Sequence, residues 1–280
     1  MPSRFFDVIE QYNEQEIIEL IGNIEKILAK ENHLIKVPQG RSMIVGDLHG
    51  DLDTLNRIIK TFFRENFKTL LFLGDYVDRG AKQVEVINVL FYYKKLMPNR
   101  ILLLRGNHED PYINRQYGFY DEVRLKFSNH KFLFRRYNQV FSNLPLAAMT
   151  WNRIFCVHGG IPEGLDSVNQ INNLPEKEEK IKSPITKQLV WNDPHKRAKE
   201  FKWSRRGPGI KRFGEEALDY FVEKNKINLV IRAHEKFKDG YKTYFDEKLL
   251  SIFTSRAYSK RVSTVVGIIE RDGSVDVLEI

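Results

Sequence analysis

Residues 42–50 read Ser-Met-Ile-Val-Gly-Asp-Leu-His-Gly, an apolar run that breaks off at a glycine and a carboxylate. A run of this length, bounded by glycine, suits a strand buried on both faces. Beyond Met43–Val45 four more runs have the same character: Leu70–Leu73, Ile101–Leu104, Ile154–Val157 and Leu229–Ile231. Leu52–Phe63 and Gln83–Leu96 lie between the first three and have helical length. The chain therefore opens as βαβαβ, with parallel strands and helices on the faces, which places it in the α/β class. A helix over 14–31 comes first, since Ile17, Ile18, Leu20, Ile21, Ile24, Ile27 and Leu28 recur at helical spacing.

Residues 112–145 read as helical and rich in aromatics, and 172–184 as a solvated charged loop between prolines. A helix is expected over Gly214–Lys224. Leu249–Thr254, Val262–Ile269 and Val275–Ile280 read as strands, with Asp272-Gly273 turning the last two into a hairpin. No repeat and no long linker interrupts the chain, so residues 1–280 are expected to form one domain, with 1–40 a helical segment packed on it.

Each buried run ends in residues that can hold a metal. The ends are Gly46-Asp47-Leu48-His49-Gly50, Gly74-Asp75-Tyr76-Val77-Asp78-Arg79-Gly80, Gly106-Asn107-His108-Glu109, His158-Gly159-Gly160 and Arg232-Ala233-His234-Glu235. Ligands of open α/β sheets sit beyond the carboxyl ends of the strands, so the five ends converge on one place. Carboxylate, imidazole and amide oxygen without thiolate suit Mn, Fe or Zn. Asp47 and His49, two apart on an extended segment, face the same side and can clamp one ion. Asp75 is the natural bridge to a second ion completed by Asn107, His158 and His234. Two divalent ions roughly 3.5–4 Å apart can hold a hydroxide and neutralise a phosphoryl group during in-line attack. His108 is then free to protonate a leaving oxygen, oriented by Asp78, while Arg79 offers a fork to phosphate oxygens. His33, His130 and His195 lack such a context and are expected at the surface.

Composition narrows the alternatives. With 42% apolar residues in 280, a core needs no staples, and the apolar fraction argues against disorder. The single cysteine, Cys156, excludes an intrachain disulfide and a Cys-rich zinc module; Pro162 stands where a Cys-x5-Arg phosphatase needs arginine. The first ten residues carry Asp7 and Glu10 and no apolar core, so no secretory signal is expected. Tyr137–Asn152, sixteen uncharged residues, is too short and too polar to span a bilayer. A soluble, cytoplasmic protein without membrane partners is expected. The net charge of +8 concentrates at 196–212, where eight Lys or Arg meet Glu200 alone. That segment suggests an electropositive rim for acidic phosphopeptides; with only Phe201, Trp203 and Phe213 beside it, it makes a poor nucleic-acid platform.

The three motifs Gly46–Gly50, Gly74–Gly80 and Gly106–Glu109 resemble the GDxHG, GDxVDRG and GNHE signatures of the phosphoprotein phosphatase family. Ile113-Asn114-Arg115, Tyr117–Glu122, Leu144–Ala148, Val190–Pro194 and Asp239-Gly240-Tyr241 are similar to its protein phosphatase 1 and 2A branches. The resemblance implies a four-layer metallophosphoesterase fold, a central β-sandwich flanked by helices. It also implies hydrolysis of phosphoserine and phosphothreonine proteins by direct attack of a dimetal-bound hydroxide, without a phosphoenzyme. By position it assigns Asp47, His49 and Asp75 to one ion, Asp75, Asn107, His158 and His234 to the other, and Arg79, Asn107, Arg206 and Tyr258 to the phosphate. His108 is implied as acid, supported by Asp78. The family's C-terminal loop reads Thr254–Ser259 here; it keeps Tyr258 and has Ser259 in place of cysteine. Its tail, Val277–Ile280, does not imply regulatory subunits of the 2A kind. Related metallophosphoesterases that share two of the signatures hydrolyse bis-nucleoside polyphosphates or nucleotide diesters, which is the competing enzyme reading. A metal-binding scaffold without activity is the reading outside enzymes.

Overall fold

The computed structural model describes residues 12–175, 178–259 and 261–280, so the first part of the predicted N-terminal segment lies outside the described residues. Helix α1 (Glu14–Leu28) starts at a capping box, with Asn13 accepting from Glu16 N and Glu16 bonding back to Asn13 N. It buries Ile17, Leu20, Ile21, Ile24 and Leu28, and stops three residues short of the predicted end. β1 (Leu34–Val37), β2 (Ser42–Val45), α2 (Leu52–Arg64), β3 (Thr69–Phe72), α3 (Gln83–Leu96) and β4 (Ile101–Leu103) follow. The helical middle divides into α4 (Pro111–Asn114), α5 (Phe119–Lys126) and α6 (His130–Ser142). β5 (Ala147–Thr150), β6 (Ile154–Val157), a 3₁₀ turn (Val168–Asn173) and α7 (Pro184–Trp191) lead to short strands β7 (Asp193–Pro194), β8 (Lys202–Trp203) and β9 (Lys211–Phe213). The last part comprises α8 (Glu215–Asn225), β10 (Leu229–Arg232), β11 (Tyr241–Tyr244), β12 (Leu249–Ile252), β13 (Val265–Ile269) and β14 (Val275–Glu279).

The five apolar runs do not share a sheet. β2, β3 and β4 are parallel neighbours in a five-stranded sheet of order β14-β13-β2-β3-β4, closed by the antiparallel β13–β14 hairpin. β6 and β10 are parallel neighbours in a six-stranded sheet of order β1-β5-β6-β10-β12-β11. Ile44, Leu71, Leu102 and Val265 of the first sheet meet Ile35, Ala148, Cys156, Ile231 and Leu250 of the second in one apolar layer. The outer face of the first sheet packs on α1, α2, α3, α5 and α6, and that of the second on α7, α8 and the 3₁₀ turn. Helices, sheet, sheet and helices form four layers, as the resemblance implies.

The loop read as solvated is more structured than expected. Its ends join the 3₁₀ turn and α7, and the carbonyls of Glu178 and Glu179 accept from the buried Arg105 guanidinium at 2.7 and 2.8 Å. Burial pulls the Arg105 pKa down to about 10, against the charges of Asp110, Glu109, Glu178 and Glu179. Among the described residues no helix is long and apolar enough to cross a membrane.

Candidate metal centre and phosphate cavity

The ends of β2, β3, β4 and β10 open on one cavity of about 240 Å³, and His158 at the end of β6 stands directly behind it. The β3 and β4 ends can come together there because Gly74 and Gly106 lack side chains. A Cβ on Gly74 would lie 2.3 Å from Gly106 N, and one on Gly106 would lie 2.2 Å from Asp75 Oδ1. Glu109, fully buried, ties the same loops by accepting from Asp75 N (2.8 Å), Tyr76 N (2.9 Å) and Gly106 N (2.9 Å). Burial and the neighbouring Asp75 carboxylate still push the Glu109 pKa up to about 7.

His49, Asp75, Asp78, Arg79 and His234 hold positive φ, five of the eleven such non-glycine residues among those described. Left-handed backbone at non-glycine residues is costly and collects at functional sites. It corrects the expectation for the first motif. Asp47 and His49 do not face one side of an extended segment; His49, at φ 47°, is turned so that its Nε2 comes 3.5 Å from Asp47 Oδ2.

Asp75 Oδ2 occupies the middle of the cluster, 3.6 Å from His49 Nε2 and 3.4 Å from His158 Nε2. On the far side His158 Nε2 lies 3.0 Å from Asn107 Oδ1 and 3.2 Å from His234 Nδ1. Asp47 connects the sheets, because its Oδ1 accepts from His234 N at 2.9 Å. The remaining ring nitrogens are pinned: His49 Nδ1 faces Val77 O at 2.8 Å and His158 Nδ1 faces Leu73 O at 3.1 Å. Backbone carbonyls on those nitrogens hold a proton at each Nδ1 and turn each Nε2 toward the cluster, the arrangement metal-ligating histidines adopt. His234 Nε2 is buried without a hydrogen-bond partner. So dense a set of oxygen and nitrogen donors fits a cation on either side of Asp75.

The charges agree. Burial would lower the His49 pKa, but a hydrogen bond to Asp47 and the charges of Asp75 and Asp47 raise it to about 9. Burial would raise that of Asp75, but His158, His108 and His49 hold it well below the usual carboxylate range. His158 is raised, chiefly by Asp75 against its burial, whereas burial together with Arg206, His158 and Arg232 keeps His234 well below the ordinary range. Carboxylates that draw protons onto His49 and His158 make a pocket in which a metal can replace those protons.

His108 lies beside the cluster. Its Nδ1 is 2.5 Å from Asp78 Oδ2, its backbone N–H donates to Asp75 Oδ1, and its Nε2 stands 4.0 Å from Asp75 Oδ2. By distance alone His108 could join His49 and Asp75 around an ion. Its anchoring on Asp78, itself fixed by Phe119 N, instead leaves Nε2 as the tip turned to the cavity. The Arg79 guanidinium stacks 4.1 Å from the Tyr117 ring centroid and 5.7 Å from that of Tyr258. Arg206 enters from the loop between β8 and β9 of a small third sheet of order β7-β9-β8, held by Asp193 Oδ2 at 2.5 Å. Tyr258 Oη lies 3.4 Å from His49 Nε2; burial and the charges of Asp47 and Asp75 push its pKa up to about 12, so it stays a neutral donor.

Residues 40–236 match the description of the calcineurin-like phosphoesterases. The chain belongs to that family. It is 35% identical, over 94% of its length and 84% of the relative's, to the serine/threonine-protein phosphatase 4 catalytic subunit of Saccharomyces cerevisiae. It is 34% identical to a catalytic subunit of protein phosphatase 2A from Dictyostelium discoideum, over 92% of this chain and 81% of that one. The structure of a S. cerevisiae serine/threonine phosphatase with similarity to human PP5 superposes with a TM-score of 0.86 at 25% identity, covering 96% of this chain and 90% of that one.

Every site residue read from the phosphoesterase sequence lies at this cavity or, as Asp78 and His158 do, directly behind it. The C-terminal loop is fastened over it: Thr254 Oγ1 accepts from Gly46 N, Ser255 Oγ donates to Leu48 O, and Asp51 Oδ2 accepts from Arg256 N. The basic segment behaves differently. Of 196–212 only Arg206 lines the cavity, while Lys199 pairs with Glu216 and Lys211 with Glu163. His33, His130 and His195 lie away from the cavity and are partly exposed. The sequence reading missed Glu109 and Arg232 as supports, and Lys236 as a lining residue. Glu109 and Lys236 stand within or beside quoted motifs, but a contact made by tertiary folding left no spacing to read.

Proposed function

We propose that this phosphoesterase is a metal-dependent protein serine/threonine phosphatase, a single cytoplasmic catalytic domain acting on phosphoserine and phosphothreonine in proteins. The observation that carries this reading is the placement of Asp75 Oδ2 between His49 and His158, with His108 held on Asp78 at the edge of the same cavity. The relatives named as serine/threonine phosphatases support the substrate class. Asp47, His49 and Asp75 would hold one divalent ion, and Asp75, Asn107, His158 and His234 the other, with manganese, iron or zinc suited to these donors. Two such ions supply charge neutralisation at the phosphoryl group and a nucleophile at neutral pH.

The chain's own residues do the rest. Arg79, preset by stacking on Tyr117 after β3, and Arg206, preset by Asp193 in the β8–β9 loop, take the equatorial phosphate oxygens, and Asn107 and Tyr258 add donors beside them. Asp78 holds the Nδ1–H of His108, so the proton at Nε2 passes to the departing serine or threonine oxygen. An alcohol leaving group needs that proton; phosphate is released with the P–O bond broken and no bond to the protein formed.

The test is an assay of metal-free protein, with and without added manganese, on a phosphothreonine peptide, a phosphotyrosine peptide and diadenosine tetraphosphate. Metal-dependent release that favours phosphothreonine is expected. Preference for the dinucleotide would move the chain to the nucleotide hydrolases, and silence on all three with metal bound would make it a scaffold.

A further inference from the structure

We propose that Lys236 reads a second negative charge on the substrate, an acidic side chain flanking the phosphorylated residue. The proposal rests on the phosphatase reading and narrows its substrate class.

Among the described residues three cations line the cavity, Arg79, Arg206 and Lys236. The two arginines are spoken for: one stacks on Tyr117, and the other is clamped by Asp193. Lys236 is exposed and forms no ion pair among the described residues. Its ammonium sits 5.4 Å from the Tyr258 ring centroid, the ring that also faces the Arg79 guanidinium. The carboxylate that could neutralise it, Glu235, is turned inward instead and meets the buried Arg232 at 3.1 Å. A lysine is thus left uncompensated at the mouth of the phosphate site.

The cavity size decides what that lysine meets. At about 240 Å³ it is smaller than the roughly 300–1,000 Å³ of pockets that enclose whole drug-sized ligands. It admits a phosphorylated side chain and leaves the flanking residues of a peptide on the rim, where Lys236 stands. A phosphomonoester is matched by the arginines and the ions, so Lys236 has a charge to spare for a neighbour. The basic density at 196–212 does not fill this role, since apart from Arg206 it lies off the cavity. An exposed lysine–carboxylate contact is weak and screened by salt, so the preference is modest and falls with ionic strength.

The experiment compares kcat/KM for two phosphothreonine peptides, one with Asp and Glu flanking the phosphoresidue and one with Asn and Gln there, using manganese-loaded enzyme. The wild type should favour the acidic peptide, less so as salt is raised. In Lys236→Ala the acidic-to-neutral ratio should fall about three- to fivefold, the upper part of the range of an exposed ion pair. Lys236→Arg should keep the ratio, and Lys236→Glu should push it below one. A wild type active on both peptides, with a ratio that Lys236→Ala and Lys236→Glu leave unchanged, overturns the proposal alone. A wild type that hydrolyses neither peptide overturns the phosphatase reading and this proposal with it.

Discussion

The two sheets contribute to the site by opposite means. The ends of β2, β3 and β4 deliver Asp47, His49, Asp75, Asp78, Arg79, Asn107 and His108 from contiguous motifs, locked by the Gly74–Gly106 approach and the three N–H bonds of Glu109. The ends of β6 and β10 deliver His158 and His234 to the cluster. Their surroundings are built by long-range polar contacts instead. Arg232, wholly buried, donates to Gly159 O, to Asn192 O (3.1 Å) and to Asp193 Oδ1 (2.9 Å), and Asp193 in turn holds Arg206. Backbone geometry therefore fixes the half that carries acid, bridge and first phosphate arginine, while a charge network fixes the half that completes the second ion. Substitutions should divide along the same line. Changes on the five-stranded side should cost chemistry, and changes on the six-stranded side should cost binding and stability.

The largest effect is expected at Asp75, which belongs to both halves. Asp75→Asn should release metal along with activity, exceeding the roughly 10³-fold cost of losing one electrostatic stabiliser. Metal analysis after dialysis checks it; full affinity for both ions would refute the bridge. Next comes His108→Asn, which should keep its metal and lose about 10² to 10⁴ in kcat on a phosphothreonine peptide, the range of a general acid. The loss should shrink on p-nitrophenyl phosphate, whose leaving group needs no proton. Equal losses on the two substrates would remove His108 from the acid role.

A pH series separates ligand from proton. In the metal-free protein the raised pKa of His49 stabilises the fold fully below pH ~6.5, and this contribution is lost as pH rises through about 9. Metal binding has the opposite sign, because it needs His49 deprotonated. Manganese affinity should therefore climb by up to about tenfold per pH unit between 7 and 9, read by calorimetric titration. A flat profile would show that His49 carries no competing proton. The smallest effect belongs to the six-stranded side. Asp193→Asn should loosen Arg206, raise KM with little change in kcat, and destabilise the fold by about 1–3 kcal/mol as Arg232 loses a charged partner. A fall in kcat at unchanged KM would place Asp193 with the chemistry and blur the division between the halves.

Much of this was legible before folding. Glycine-bounded apolar runs ending in Asp, His or Asn carry their meaning locally, and so do the turn at Asp272-Gly273 and the period of α1. The assignment of runs to sheets was not, because a strand buried on both faces looks the same in either sheet; only the resemblance implied a sandwich. β11, with exposed Tyr241, Lys242 and Thr243, and the short strands β7 to β9 have no apolar run to announce them. The left-handed backbone at His49, Asp75 and His234 was hidden for a different reason. Nothing in a non-glycine residue type signals positive φ; the packing around it imposes the strain. Charge density was silent in the same way on pairing, since Lys199 and Lys211 of 196–212 meet Glu216 and Glu163, which lie close only after folding.

The measurement that bears most directly on the central claim is a manganese titration of the metal-free wild type, followed at once by calorimetry and by hydrolysis of a phosphothreonine peptide. If Asp75 joins two half-sites, binding should saturate at two ions per chain, and activity should appear only as the second is filled. Saturation at one ion with full activity would contradict the account.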